Sequence, residues 1–219
     1  MKKKKSGTGK TGSPGRGPRP MRRSPLRTRA SQDAARQTIR RLKGELARAL
    51  ALIGELQETA ETDFLLAIRN RRGFERDLAR AIAYIKRYHA TAALIILDVD
   101  RLKPINDSFG HAAGDEVLKA VAAVLTGQIR SSDVVARLGG DEFAILLWNL
   151  TETDARAKAA LMEQEIDRLT FTFRDRTVSA GASAGIAMLD THAELGRALE
   201  AADSAMYLRK AQRRHEGAS

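Results

Sequence analysis

The chain has 219 residues, 43% of them hydrophobic, enough for one sizeable core with an extension but hardly for two full domains. It has no cysteine, which excludes disulfides and thiolate metal sites, and its four histidines (His89, His111, His192 and His215) lack metal-ligand spacing, so zinc is not expected. Of the formal charge of +11, the first 30 residues carry everything, with 11 Lys/Arg and no acid; beyond them 27 basic residues face 27 acidic ones, so the charge describes a tail and not a nucleic-acid-binding domain.

Residues 1–30 combine Lys, Arg, Gly, Pro and Ser with almost no large apolar side chains, which predicts a disordered basic tail. Gly9-Lys10-Thr11 resembles the end of a phosphate-binding loop, but Lys4 stands where the first glycine belongs and no strand or helix pattern flanks it. No aromatic residue interrupts the tail for base stacking, so nucleic acid is expected as a partner at most through this charge. From Ser31 the pattern changes: Ile39, Leu42, Leu46, Ala49, Ile53, Leu56 and Ala60 recur at alternating steps of three and four. This heptad seam of about three repeats makes residues 31–62 a helical stalk that pairs most simply with its copy in a homodimer, although Gly44 and Gly54 weaken the helix. No stretch has the roughly 18 apolar residues of a membrane span and no secretion signal opens the chain, so a cytoplasmic protein is expected.

Residues 63–219 read as one α+β module. Helical spacing covers 71–88 and 112–129, and Lys103 to Asp107 fits one short turn. Ala92 to Val99 is an apolar strand ending in acids. Two further strands, Val134 to Leu138 and Phe143 to Trp148, flank Gly139-Gly140, and a diglycine between apolar runs marks a tight hairpin because such turns need positive φ. Thr151 or Thr153 caps a helix running to about Leu169; Thr170 to Arg174 and Thr177 to Met188 form a second hairpin; Ala193 to Arg213 is a last helix. Hairpins mixed with helices predict a central, mostly antiparallel five-stranded sheet flanked by helices.

Asp98 and Asp100 end one strand, and Asp141 and Glu142 follow the hairpin glycines, so pairing these strands gathers four carboxylates at one sheet edge. Two readings stand side by side: oxygen ligands for Mg²⁺ or Mn²⁺, or salt bridges to Arg101, Arg130 or Arg137. Lys103, Lys210 and Arg214 are candidate phosphate partners, each by itself an ordinary surface cation.

Four segments together resemble the GGDEF family of diguanylate cyclases. Residues 98–115, DVDRLKPINDSFGHAAGD, are similar to its D-x-D-x-F-K-x-I-N-D-x-x-G-H-x-x-G-D, and Arg137 to Phe143 reads RLGGDEF. Asn70 to Phe74 matches N-R-R-x-F, and Ala202 to Tyr207 resembles A-D-x-A-L-Y, so the likeness covers about residues 63–215. It implies a nucleotide-cyclase or polymerase-palm-like catalytic domain that joins two GTP into cyclic di-GMP, a bacterial second messenger. The side chains of Asp98 and Asp141 and the Val99 carbonyl would hold metal, and Glu142 would help activate the attacking 3′-hydroxyl. Asn106 and Asp115 would read guanine; Lys103, Lys210 and Arg214 would meet phosphate; Gly139 and Gly140 would let the hairpin lie against the nucleotide. Arg130-Ser131-Ser132-Asp133 resembles the family's R-x-x-D product-inhibition motif, with Arg130 and Asp133 holding cyclic di-GMP.

Two departures stand out. Leu66-Ala67 replaces the family's Thr-Gly, removing a glycine from a turn and a hydroxyl from a hydrogen bond. At the end, A-K-x-x-G-R-N becomes Arg209-Lys210-Ala211-Gln212-Arg213-Arg214-His215, which keeps the cations and loses the glycine. The rival reading is a catalytically silent domain that binds cyclic di-GMP or GTP as a receptor.

Overall fold

A computed structural model describes the backbone of residues 25–216, so the expected basic tail lies, up to position 24, outside the described residues. The chain divides into two compact units, Met1–Ile53 and Gly54–Ser219. The helix α1 (Pro25–Glu61) starts ahead of the expected Ser31, with proline at its first position, where a missing N–H costs no hydrogen bond. Ile39, Leu42, Leu46 and Ile53 of the seam lie between 49% and 59% exposed, an apolar stripe without cover in the single chain. The Leu56 side chain lies outside what is described.

The second unit continues with β1 (Arg69–Asn70), α2 (Arg71–Tyr88), β2 (Ala92–Asp100), α3 (Leu102–Phe109), α4 (His111–Gly127), β3 (Val134–Gly139), β4 (Glu142–Trp148), α5 (Glu152–Asp167), β5 (Thr170–Phe173), β6 (Arg176–Ser179), β7 (Gly181–Leu189) and α6 (Leu195–Glu216). The five-stranded sheet runs β1-β3-β4-β2-β7, antiparallel except for the β1–β3 pair. The expected α+β architecture is therefore found. Two elements differ: β1 has no counterpart in the sequence reading, and the strand expected over 177–188 is two strands. β6 pairs with β5 in a separate hairpin, while β7 crosses to the main sheet beside β2, the break falling at Ala180. Alternation along this stretch is the same for one strand as for two, so only the partners reveal the break.

Strand β2 is buried on both sides, which explains why its sequence reads as a continuous apolar run. Ile95, Leu97 and Val99 face the cluster built with α3, α4 and α5; Leu94 and Ile96 face α2 and α6. By the same alternation Asp98 and Asp100 point to the α6 side. The core thus brings the tips of β2 and β4 under the last turns of α6.

The substituted lead-in keeps its turn. Asp63 Oδ1 accepts from the Leu65 and Leu66 amides at 3.0 and 2.9 Å, and Ala67 takes φ 54°. Left-handed backbone costs a residue with a Cβ about 1–2 kcal/mol, partly offset by the extra unfolded-state freedom of glycine. Ala67→Gly is expected to stabilise the domain by roughly 0.5–1 kcal/mol, read as a thermal midpoint about 2–3 °C higher by calorimetry.

Candidate active site

In the antiparallel β2–β4 pair Asp98 stands opposite Glu142, and beyond it the Val99 amide donates to the Asp141 carbonyl at 2.9 Å. The hairpin glycines supply the bend: Gly140 has φ 51°. Arg137 clasps it, donating from Nε and Nη2 to the Gly140 carbonyl at 3.0 and 2.7 Å while Nη1 lies 3.4 Å from Asp63. Asp98 is 8% exposed and its Oδ1 accepts from Lys210 of α6. Burial pushes its carboxyl up, Asp141 and Asp100 add to the rise, and Lys210 opposes it. Burial also raises Glu142, helped by Asp98, Asp141 and Asp203 and opposed by Arg71. Asp98 therefore pairs with Lys210, Glu142 with Arg71 and Asp100 with Arg213, and among the described residues none of these acids pairs with Arg101, Arg130 or Arg137.

Hard oxygen donors whose charged forms are disfavoured by burial and mutual repulsion suit a divalent cation, which relieves both penalties. The Asp98 and Asp141 carboxylates with the Val99 carbonyl fit such an ion chemically; among the described residues no group of three or more carboxylates or histidines makes a metal cage. Asp100, expected beside Asp98, is committed elsewhere: its Oδ2 accepts from Ser183 Oγ at 3.0 Å and lies 3.6 Å from Arg213.

Two cavities meet at Asp141. The larger, about 570 Å³, is lined by Val99, Lys103, Asp141, Lys210, Arg213 and Arg214, among others. The second, about 420 Å³, is lined by Asn106, His111, Gly114, Asp115, Arg137 and Gly140 and shares Leu102, Lys103 and Asp141 with the first. Helices α3 and α4 bring Asn106 and Asp115 together because Gly114 has no side chain: a Cβ there would lie 2.0 Å from Asn106 Oδ1. That oxygen is buried against Gly114 without a hydrogen-bond partner, while the Asn106 residue lines the cavity. A carboxylate and an amide side by side match the donors and acceptors of a guanine edge.

Asp98, Gly139 and Glu142 adjoin the cavities without lining them. Arg130 and Asp133 stand apart, before the first residue of β3, roughly 15–20 Å of strand from the diglycine bend. Asp133 is tied into its turn: Oδ2 accepts from the Arg130 amide at 3.0 Å and Oδ1 from the Trp148 amide at 3.1 Å, while the Arg130 side chain is exposed.

Sequence reasoning missed Arg71, which donates to the Leu138 carbonyl at 2.9 Å and reaches Glu142 at 3.5 Å. It also missed Glu163, buried on α5, which accepts from the Ala184 amide at 2.8 Å and from Arg209 at 3.0 Å. The spacing of Glu163 after Ala155 and Ala159 and before Ile166 puts it on the apolar face of α5, the signal that could have found it.

Residues 60–216 match the sequence family described as "Diguanylate cyclase, GGDEF domain". The chain is 37% identical over 160 residues to the probable diguanylate cyclase DgcE of Escherichia coli, 73% of this chain and 14% of that protein. To the diguanylate cyclase TpbB of Pseudomonas aeruginosa it is 42% identical over 161 residues, 73% of this chain and 37% of that one. It thus spans well under half the length of these curated relatives. Among solved structures, the coiled coil and GGDEF domain of DgcB from Caulobacter crescentus in complex with c-di-GMP superposes with TM-score 0.71 at 25% identity, covering 82% of this chain and 95% of that one. The GGDEF domain of TpbB from P. aeruginosa gives 0.64 at 41% identity, covering 69% and 89%.

Proposed function

Because the chain belongs to the GGDEF diguanylate cyclase domain family, we propose that it condenses two GTP molecules into cyclic di-GMP with release of two pyrophosphates. The observation that carries this is the junction of the cavities: a recess lined by Asn106 and Asp115 shares Lys103 and Asp141 with a space lined by Lys210 and Arg214. Base and triphosphate of one nucleotide fit that sequence of chemistries. The 3′-oxygen of one GTP bonds to the α-phosphorus of the other as the bond to the β-phosphate oxygen breaks; a reciprocal attack closes the ring.

In this reading Asp98, Asp141 and the Val99 carbonyl would hold Mg²⁺ or Mn²⁺, which would supply charge neutralisation at the triphosphate and a lower pKa at the attacking hydroxyl. Glu142, its carboxyl raised by burial, is suited to accept the hydroxyl proton. Lys103, Lys210 and Arg214 bind phosphate, and Gly139-Gly140 keep the hairpin low beside the nucleotide.

One domain holds one nucleotide, so the reaction needs two half-sites face to face. The uncovered seam of α1 supports a homodimer that supplies them at high local concentration. No helix among the described residues is long and apolar enough to cross a membrane, in keeping with an enzyme working in the cytoplasm, where GTP is made.

Product inhibition through Arg130 and Asp133 belongs to the same proposal. The Arg130 side chain is exposed and its backbone, not its guanidinium, ties the turn, so Arg130→Ala leaves the fold intact. That variant is expected to raise the cyclic di-GMP concentration for half-inhibition about tenfold, one charge-assisted contact's worth; an unchanged inhibition curve removes the site from the account.

The deciding experiment incubates purified protein with GTP and Mg²⁺ and separates the products by chromatography. Cyclic di-GMP with pyrophosphate supports the enzyme. Nucleotide binding without product at high protein concentration supports the silent receptor instead.

A further inference from the structure

Helix α6 runs without a break through position 213, where the family pattern has glycine, and places Lys210, Arg213 and Arg214 at i, i+3 and i+4, one helical face. All three line the 570 Å³ cavity. Arg213 is therefore a cation this chain adds to a space already holding Lys103, Lys210 and Arg214. It is also fixed. Its Nη2 donates to Asp167 of α5 at 2.6 Å, Nε lies 3.6 Å from Asp100 of β2, and Nη1 lies 3.7 Å from Glu163 of α5. These acids are themselves held, Asp100 by Ser183 and Glu163 by the Ala184 amide at the open edge of β7. Burial opposes the charge on Arg213, but Asp167, Glu163 and Asp100 outweigh it and keep the guanidinium protonated.

A guanidinium has five N–H donors; among the described residues those of Arg213 make one hydrogen bond, to Asp167, while Nε and Nη1 each face a carboxylate more loosely at 3.6 and 3.7 Å. Each Nη nitrogen carries a second N–H beyond these acids, a pair available to an anion in the cavity. A purely structural staple between α6 and α5 needs no access to that space, whereas Arg213 forms part of its wall beside Lys210 and Arg214.

We propose that Arg213 is a further phosphate-binding residue, a pre-oriented fork that grips the triphosphate chain from α6. The acids on β2 and α5 act as positioning residues, holding the fork in one geometry so that little side-chain freedom is lost on binding. The inference rests on the GTP-site reading above.

The test compares the wild-type full chain with Arg213→Gln, titrated by calorimetry with a non-hydrolysable GTP analogue and with guanosine, and assayed for KM and kcat. Arg213→Gln is expected to bind the triphosphate analogue about tenfold more weakly and to raise KM equally, with guanosine affinity and kcat within about twofold of wild type. Arg213→Lys keeps the charge but not the fork and should recover part of the loss; it also carries the test should Arg213→Gln not fold. Triphosphate affinity unchanged in both variants, or guanosine weakened as much as the triphosphate, overturns the assignment. Wild-type protein that binds neither ligand sinks the GTP-site reading itself, and this inference with it.

Discussion

Asp141→Asn lowers cyclic di-GMP formation by at least about a thousandfold and leaves the thermal midpoint unchanged or slightly higher. The two halves of this result have one cause. The Asp141 carboxylate makes no hydrogen bond among the described residues; its backbone carbonyl, which accepts from Val99, survives the substitution. Its charge raises both Asp98 and Glu142, so at neutral pH it makes their ionised forms costlier in the folded state. Removing that charge relieves repulsion and takes away a ligand for the cation that would otherwise relieve it. Repulsion kept in a fold without a structural return is expected at a site built to bind cations. Calorimetry beside the GTP assay reads both halves. Near-normal turnover ends the metal-ligand role, while a large stability loss means that the carboxylate is structural.

Much of this site was legible because its chemistry sits on elements with strong local signals. The apolar run of β2 and the diglycine bend fix where Asp98 and Asp141 fall, and antiparallel pairing of the two strands brings them together. Asn106 and Asp115 were legible only through the family motif. Their meeting depends on the missing side chain at Gly114, a fact of three dimensions. β1 escaped notice because two residues, Arg69 and Asn70, carry no periodicity. Ala67 shows the reverse case: a lost glycine points to an altered turn, yet the backbone keeps its positive φ because Asp63 holds the neighbouring amides. The α6 cations could be read as phosphate partners, but not the acids that orient Arg213, since Glu163 and Asp167 come from another helix, far earlier in the chain.

The placement of those cations depends in turn on one glycine in β7, and Gly185→Ala is expected to destabilise the domain by about 3 kcal/mol or more. Gly185 pairs with Ile96 midway along β7, the edge strand, and α6 rests directly on its backbone. A Cβ there would lie 2.0 Å from the Met206 nitrogen, 2.2 Å from the Ala202 carbonyl oxygen and 2.6 Å from Met206 Cα. All three are backbone atoms, so no rotamer change makes room and the helix itself must move out. Asn106 beside Gly114 differs, since there only a side chain is in the way. Lifting α6 opens the cluster in which Ala198, Ala202 and Met206 pack against Leu94 and Ile96, and carries Lys210, only four residues after Met206, away from Asp98. The midpoint should fall by about 10 °C in calorimetry. Affinity for a GTP analogue should weaken as well, because Lys210, Arg213 and Arg214 retreat together. Gly196→Ala is the control: a Cβ there meets nothing within 4 Å, so its midpoint should stay near that of wild type. Equal midpoints for Gly185→Ala and wild type would mean that α6 does not lie against β7 at this distance, and the cavity wall it forms would have to be drawn again.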